Sequence, residues 1–301
     1  MNPGIYYGLP ADEYHAAPGV SASMLKAMRR SPAHMRAEMA NRKETEAMRF
    51  GTLLHLRLLE PERYKAECVI IPPDAPDRPT KAQLAAAKPA PKTVEQIAWW
   101  AKFDAETVGK TVIDQEEAFT IERIARNVFA HPIARELLTG EGQNEVSIFA
   151  VDPVTGLPLR CRVDRIKGRV FVDIKKTVNA ADWEFSKTVA DMGYHLQGAL
   201  YLRVGALAQL APEYFVLIAI EPLPPYAVNC FALGVKSLSR GDEECAALLA
   251  QYKECEASGI WPAYKQTLRT LEIPRYALMR PEDAEVVFDP AESTADEEGV
   301  A

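Results

Sequence analysis

Cysteine is sparse in this sequence, and its cysteines are not arranged in pairs. The 301 residues contain five cysteines, an odd number, and no two of them form a CxxC motif. A disulfide framework or a cluster held by closely spaced cysteines is therefore not expected, and a reducing cytoplasm is the expected location. Buried free thiols are the simplest interpretation of these residues.

Long apolar runs are also lacking. The longest, at residues 214–220, is far too short to cross a bilayer and is typical of a buried strand. No basic segment followed by an apolar one opens the chain, so we expect neither a secretory signal nor membrane contact. The hydrophobic fraction of 48% and the charged fraction of 26% are ordinary for a globular protein.

An excess of positive charge is missing as well, since the net charge is −7. Residues 281–301 alone carry eight acidic residues and no basic one, so the rest of the chain has a net charge of +1. We expect one domain over residues 1–275, with an acidic and disordered tail at 276–301. A near-neutral domain does not exclude DNA, because phosphate binding needs only a local basic patch.

Helix signals dominate the first half of the chain. Ser21 and Ser23 precede an apolar-periodic stretch, and Ser31 followed by Pro32 predicts a capped helix start. Residues 26–43 carry six basic residues and one acidic residue, which indicates either a solvated helix face or a phosphate-contacting surface.

The remaining pattern predicts a mixed sheet with helices around it. Residues 72–92 contain six prolines and are expected to form a loop or mobile arm. Helices are expected at 50–60, 93–103, 116–138, 182–210 and 238–257. Strands are expected at 144–151, 158–166, 169–175, 214–220 and 226–234, the first three as an antiparallel meander. The fold class is therefore α/β (α+β), a mixed β-sheet flanked by helices with a helical N-terminal region.

Two acidic residues and a lysine lie on the predicted meander. Asp173 and Lys175 are two apart on one strand and share a face, while Val172 and Ile174 face the apolar layer. Asp164 lies nine residues earlier, on the neighbouring strand. Such a group can hold Mg²⁺, which prefers oxygen ligands and keeps waters that a phosphate can replace. The alternative is that both aspartates are exposed strand residues, with Lys175 paired to one of them.

Longer motifs around these residues match a known group. They are RCRVDRI followed by VDIKKT, then GYHLQGALY, with SASMLKAMRRSPAH and FGTLLHLRLLEP upstream and WPAY downstream. In these motifs the chain resembles the RecB-like branch of the PD-(D/E)xK nuclease superfamily, and more closely the RecE-type (exodeoxyribonuclease VIII) and phage recombination exonucleases. The resemblance runs from about residue 5 to about residue 275 and implies a restriction-endonuclease-like fold.

The resemblance also implies roles for single residues. Asp164 and Asp173 would be metal ligands, together with the backbone carbonyl of Ile174. Lys175 would be the catalytic lysine, which positions or helps to deprotonate the attacking water and offsets negative charge. His55 would be a further ligand or would orient a water at the ion.

Further residues have two interpretations each. Glu145 is either another acid of the site or an exposed strand residue. Gln197 and Tyr201, four apart on one helix face, either contact the DNA backbone and order the lysine or only pack the helix. Tyr194 lies on the same side. From the basic segment, we expect DNA contacts at Arg29 and Arg30.

The implied activity is a Mg²⁺-dependent exonuclease (Mn²⁺ as an alternative) that acts on double-stranded DNA ends 5′→3′ and leaves single-stranded tails for recombination. A ring-shaped homo-oligomer and a single-strand annealing partner protein are implied with it. The alternatives are an endonuclease, a Cas4-like end-processing nuclease or a catalytically silent DNA-binding module. We also expect Asp173→Ala to leave folding intact, on the premise that Asp173 is exposed.

Overall fold

Helices prevail before residue 140, and five of the six strands of the main sheet follow. A computed structural model describes residues 1–41 and 45–273. Its helices are α1 (Ala11–Ala16), α2 (Ala22–Met28), α3 (Pro32–Ala40), α4 (Glu46–Leu59), α5 (Pro61–Glu67), α6 (Lys81–Leu84), α7 (Pro91–Glu106), α8 (Gln115–Ala130), α9 (Pro132–Leu138), α10 (Asp182–Asp191), α11 (Tyr194–Leu207) and α12 (Val235–Ser258). Its strands are β1 (Gly4–Tyr6), β2 (Cys68–Ile70), β3 (Thr111–Ile113), β4 (Gln143–Val151), β5 (Pro158–Lys167), β6 (Val170–Lys176), β7 (Tyr214–Ile220) and β8 (Val228–Ala232).

The chain divides into two units, Met1–Ala263 and Tyr264–Ala301. The first contains every helix and strand of the described residues, and residues 264–273 of the second form neither. The predicted domain boundary at 275, the acidic tail, and the basic residues Arg42 and Lys43 lie outside the described residues. Within the described ranges, no helix is long and apolar enough to span a membrane.

Six strands form one mixed sheet in the order β1-β4-β5-β6-β7-β8. All neighbours pair antiparallel except β6 and β7, which are parallel and are joined by a crossover through α10 and α11. The predicted mixed sheet with flanking helices and the predicted meander are therefore confirmed. The short strands β1, β2 and β3 were not predicted, because three-residue strands carry too little periodicity to be recognised.

Helices cover both faces of the sheet. One apolar cluster joins β4, β5 and β7 to α2, α11 and α12, and a second joins β6 and β7 to α4, α8 and α9. Phe171 belongs to the first cluster, whereas Val172 and Ile174 belong to the second. The predicted alternation of β6 is thus confirmed, and it directs Asp173 towards the layer that contains α11.

The prediction of one helix over residues 182–210 is wrong. The chain forms α10 and α11 instead, because Gly193 between them adopts a left-handed backbone with φ of 64°. A Cβ on this residue would lie 3.1 Å from Cγ of Lys26, so the turn also makes room for that side chain. The break lets α11 begin at Tyr194, beside β6.

The predicted helix over residues 116–138 is likewise two helices. His131 ends α8 in an extended conformation and caps α9 by accepting a hydrogen bond from the backbone N–H of Ala134, with Pro132 at the first helical position. The loop predicted at 72–92 contains the single helical turn α6 and the start of α7.

The two predicted helix starts near the N-terminus differ in outcome. Ser31 caps α3 by accepting from the backbone N–H of His34, as predicted. Ser21 precedes α2 but its side chain makes no capping hydrogen bond; its Oγ lies 2.9 Å from Oγ of Ser23 instead.

Candidate active site

The β5–β6 hairpin opens at Asp164. Its regular pairing ends with Arg165 opposite Val172. Beyond that pair, Oδ2 of Asp164 accepts a hydrogen bond of 2.7 Å from the backbone N–H of Ile174. The carboxylate of Asp164 thus replaces a main-chain carbonyl as the acceptor for a backbone N–H of β6. This hydrogen bond fixes the position of the carboxylate relative to β6.

Three side chains from three elements meet at this opening. His55 comes from α4, Glu145 from β4 and Asp164 from β5, and their potential ligand atoms all lie within 4.8 Å of one another. We call this group the ligand cluster. Helix α4 places His55 there because the neighbouring Leu54 and Leu58 are buried in the apolar layer against β6.

The imidazole of His55 is held between a carbonyl and a carboxylate. Nε2 lies 3.2 Å from the carbonyl oxygen of Ile174, and Nδ1 lies 3.5 Å from Oδ2 of Asp164. When Nε2 donates to the carbonyl, a neutral ring turns its Nδ1 lone pair towards the carboxylate. A cation bound by both atoms removes this repulsion, so the donor set fits a divalent metal ion. The carbonyl oxygen of Ile174 was predicted to be a metal ligand, and in this structure it is in contact with the imidazole of His55.

Glu145 is held by a partner that the sequence interpretation missed. Its Oε2 lies 2.6 Å from Nε of Arg162. The Nη1 of the same guanidinium donates to the carbonyl of Leu9 at 2.7 Å. The backbone of Glu145 is left-handed, with φ of 52°. Such a conformation is strained for a residue with a side chain and is found mostly where the surroundings enforce it. Arg162 lies two residues before Asp164 on the same strand, and this position was the signal in the sequence that could have indicated its contact with the site.

Burial dominates the electrostatics of Asp164. Asp164 is 8% exposed, and the pKa of its carboxyl is raised to about 7. Loss of hydration is the main cause, the negative charges of Asp173 and Glu145 act in the same direction, and His55 and Lys175 oppose them. Several carboxylates with few hydrogen-bond donors form a group that fits the binding of a divalent cation.

Asp173 and Lys175 form a separate buried pair. Oδ2 of Asp173 lies 2.5 Å from Nζ of Lys175, and Oδ1 accepts a 2.7 Å hydrogen bond from Nε2 of Gln197 on α11. Asp173 is only 2% exposed, so the expectation of an exposed aspartate is wrong. The reason is that α11 packs over this face of β6, which single-strand periodicity cannot reveal.

The ammonium of Lys175 is kept protonated by its neighbours. Burial by itself lowers the pKa of Lys175, but the carboxylates of Asp173 and Asp164 outweigh it and the pKa is raised. The ring of Tyr194 adds to this, with its centroid 4.9 Å from Nζ. A protonated ammonium matches one of the roles expected for Lys175, the offsetting of negative charge, and that role stays a prediction.

A cavity of about 260 Å³ opens onto the ligand cluster. Its wall includes His55, Glu145 and Asp164, and also Lys26, Gln197 and Tyr201. Burial raises the pKa of Tyr201, so its hydroxyl stays neutral. Lys26, which was predicted only as part of the basic segment, reaches this wall from α2. Burial and the charge of Lys175 lower its pKa to about 8.

The residues expected to contact DNA are not all brought together. Gln197 and Tyr201 line the cavity, and Tyr194 lies beside Lys175. Arg29 is exposed, but its guanidinium is engaged with Glu244 at 3.0 Å and with two backbone carbonyls. Arg30 is exposed two residues after α2 and does not line the cavity.

The mixed sheet, the opened hairpin and the carboxylate–lysine pair together define a domain of the PD-(D/E)xK type, with a restriction-endonuclease-like fold. More specifically, the chain belongs to the family described as PDDEXK-like domain of unknown function (DUF3799), whose model matches residues 21–270. No curated protein matches the sequence.

Solved structures with the same fold include a protein from Eubacterium rectale that carries a provisional exonuclease name. It aligns with a TM-score of 0.56 and 13% sequence identity, over 89% of this chain and 96% of its own. A phage-related exonuclease from Haemophilus somnus 129PT aligns with a TM-score of 0.32 and 12% identity, over 61% of this chain and 91% of its own. The first alignment supports the shared fold, and the second is too weak to add to it.

Proposed function

We propose that the protein is a divalent-metal-dependent DNA nuclease that hydrolyses phosphodiester bonds, and more narrowly an exonuclease that acts on the ends of double-stranded DNA. The observation that carries this proposal is the convergence of His55, Glu145 and Asp164 within 4.8 Å, beside the buried Asp173–Lys175 pair. Membership of the PDDEXK-like family and the name of the Eubacterium rectale structure agree with it.

His55, Glu145 and Asp164 would hold the ion, with Asp173 approaching from the adjacent strand. When bound, a divalent ion supplies a Lewis acid that activates water and polarises a phosphodiester. Carboxylate oxygens suit Mg²⁺, and the imidazole of His55 also suits Mn²⁺. We propose Mg²⁺ as the physiological ion.

The protein side chains would bind and orient the substrate around that ion. Lys175 supplies a protonated ammonium that offsets the charge growing on the phosphate. Gln197 holds Asp173 by its amide N–H at 2.7 Å. Tyr201 supplies a neutral hydroxyl on the cavity wall, and it would donate to a phosphate oxygen.

The finer features rest on the resemblance of the motifs alone. They are 5′→3′ polarity, production of single-stranded tails for recombination, a ring-shaped homo-oligomer and a single-strand annealing partner. A cytoplasmic location fits the five free cysteines.

The deciding experiment is digestion of linear duplex DNA labelled at its 5′ or 3′ ends, with Mg²⁺, Mn²⁺ or EDTA, beside a covalently closed circle. Metal-dependent loss of the linear DNA with the circle intact is the expected result, and the label released first gives the polarity. Asp164→Asn serves as the inactive control. Nicking of the circle would instead identify an endonuclease, and no cleavage with either ion would refute the proposal.

A further inference from the structure

Two lysines approach the candidate active site, and they differ in what surrounds them. Lys175 lies on β6 and forms its ion pair with Asp173. Lys26 lies on α2 and is part of the cavity wall, whereas among the described residues neither Asp173 nor Lys175 lines that cavity. The lysine that the motif identifies is thus the interior one, and Lys26 is the one beside the space that a substrate would enter.

Within the described residues, the groups that the ammonium of Lys26 contacts directly are neutral. Nζ donates to Oε1 of Gln197 at 3.1 Å and lies 5.2 Å from the ring centroid of Tyr194. No ion pair joins it to a carboxylate within the described part of the chain, unlike Lys175. An ammonium has three donors, so hydrogen-bonding capacity remains after the bond to Gln197.

The position of Lys26 is set by a closed ring of contacts. Gln197 donates its amide N–H to Asp173, so its carbonyl oxygen is the atom left for Lys26. Tyr194 lies beside both ammonium groups, at 5.2 Å from that of Lys26 and 4.9 Å from that of Lys175. Because the side chain is already held in place, it loses little further conformational entropy on binding a ligand.

The charge of the cavity indicates what that ligand is. On one side lies the ligand cluster with its carboxylates, and Lys26, which forms no ion pair within the described residues, contributes a positive charge to the same wall. A backbone phosphate that approaches a metal site beside carboxylates needs such a charge, and charge-assisted hydrogen bonds from an ammonium to phosphate are among the stronger ones.

We propose that Lys26 binds a backbone phosphate of the DNA strand in this cavity, as a second functional lysine in addition to Lys175. This inference rests on the proposed nuclease function. It differs from a purely structural role, in which Lys26 would only orient Gln197 and thereby Asp173.

The test is the salt dependence of DNA binding. Binding of a fluorophore-labelled blunt duplex is measured in Ca²⁺, under conditions where a gel shows no cleavage, as the KCl concentration is raised. For Lys26→Met we expect the slope of log K against log salt to become shallower by about 0.7 to 0.9, the value of one lost phosphate contact. Affinity at low salt should fall about 10-fold, as for one charge-assisted hydrogen bond.

Two variants make the result specific. Lys26→Arg keeps the charge and should restore the slope, and Lys253→Met removes an exposed lysine of α12 that pairs with Glu256 and should leave the slope unchanged. Circular dichroism and thermal unfolding of Lys26→Met verify that it folds. An unchanged slope in folded Lys26→Met, with or without lost cleavage, would overturn the inference. If the wild type cleaves DNA, the proposed function survives that result; if the wild type neither binds nor cleaves DNA, both fail.

Discussion

Two buried aspartates, one in the turn between β4 and β5 and the other on β5, experience opposite electrostatics. Asp152 directly follows β4 and is 1% exposed, and Asp164 lies near the C-terminal end of β5 and is 8% exposed. Asp152 accepts hydrogen bonds from the backbone N–H and the hydroxyl of Thr155, at 2.8 and 2.7 Å, and lies 3.4 Å from Arg203. Asp164 has one backbone donor at 2.7 Å and the imidazole of His55 at 3.5 Å.

Burial raises the pKa of both carboxyls, but it prevails only at Asp164. At Asp152 the hydrogen bonds from Thr155 and the charge of Arg203 reverse the effect, so its pKa is lowered. At Asp164 the sparse donors and nearby acids leave the pKa at about 7. The turn carboxylate is therefore satisfied by the protein itself, whereas the strand carboxylate has few donors within the described residues, as the proposed metal site requires.

Replacement of Asp164 should have the largest effect on cleavage. Asp164→Asn should reduce metal-dependent cleavage at least about 1000-fold, because a metal ligand that stabilises charge by several kcal/mol is lost. The metal-free protein should remain as stable at neutral pH or become more stable, since a buried charge is removed. Cleavage assays and thermal unfolding in EDTA measure both. A marked loss of stability in EDTA would show that Asp164 is structural, like Asp152.

Asp173→Ala should combine loss of cleavage with loss of stability. It leaves the ammonium of Lys175 buried without its 2.5 Å partner, which typically costs about 3 kcal/mol. Urea denaturation measures the free energy of unfolding, and Asp173→Ala with Lys175→Met is the matched control, because it removes the unpaired charge as well. If the single and double variants are equally stable, the ion pair is not the cause.

Asp152→Ala should show the reverse of Asp164→Asn. It deprives Thr155 and Arg203 of their acceptor and should lower the free energy of unfolding by about 2 kcal/mol. Cleavage per folded molecule should be unchanged, because Asp152 is not among the residues of the candidate active-site cavity. A loss of activity in the folded variant would remove the distinction between the two aspartates.

The last prediction concerns the pH dependence of stability. The folded pKa of Asp164, about 7, lies above its ordinary value of 3.8, so between these values the folded state holds a proton that the unfolded state has released. The contribution of Asp164 to the stability of the metal-free protein should therefore decrease as pH rises through this window. At Asp152, whose pKa is lowered, the contribution should decrease as pH falls below the ordinary value.

The measurement is the melting temperature of the wild type minus that of Asp164→Asn, in EDTA, as a function of pH. This difference should decline from acidic to neutral pH. The corresponding difference for Asp152→Asn should decline towards acid instead. Parallel curves for the two variants would contradict the assignment of opposite pKa shifts.

Local pattern was sufficient for the meander and for part of the candidate site. The two-residue period of β6 placed Asp173 and Lys175 on one face and Val172 and Ile174 on the other, because strand alternation depends only on the backbone. The motif resemblance singled out His55 and Glu145, which the structure brings beside Asp164. Whether these residues act in catalysis stays a prediction.

Contacts between distant segments could not be predicted in this way. Lys26 is 171 residues from Gln197 in sequence, and nothing in the periodicity of α2 indicates this contact. The burial of Asp173 follows from the packing of α11, which starts where the left-handed Gly193 ends the preceding helix. Glycine at a helix break is visible in sequence, but its backbone conformation is decided by the tertiary structure.

The bond between Asp164 and the backbone N–H of Ile174 has a consequence for how the sequence can drift over evolution. A carboxylate oriented by another side chain needs that partner to be retained, so two positions must be conserved together. Here every residue except proline at position 174 provides the same donor. We therefore expect homologues to exchange Ile174 among apolar residues of similar size while keeping the aspartate, so that the two positions do not co-vary.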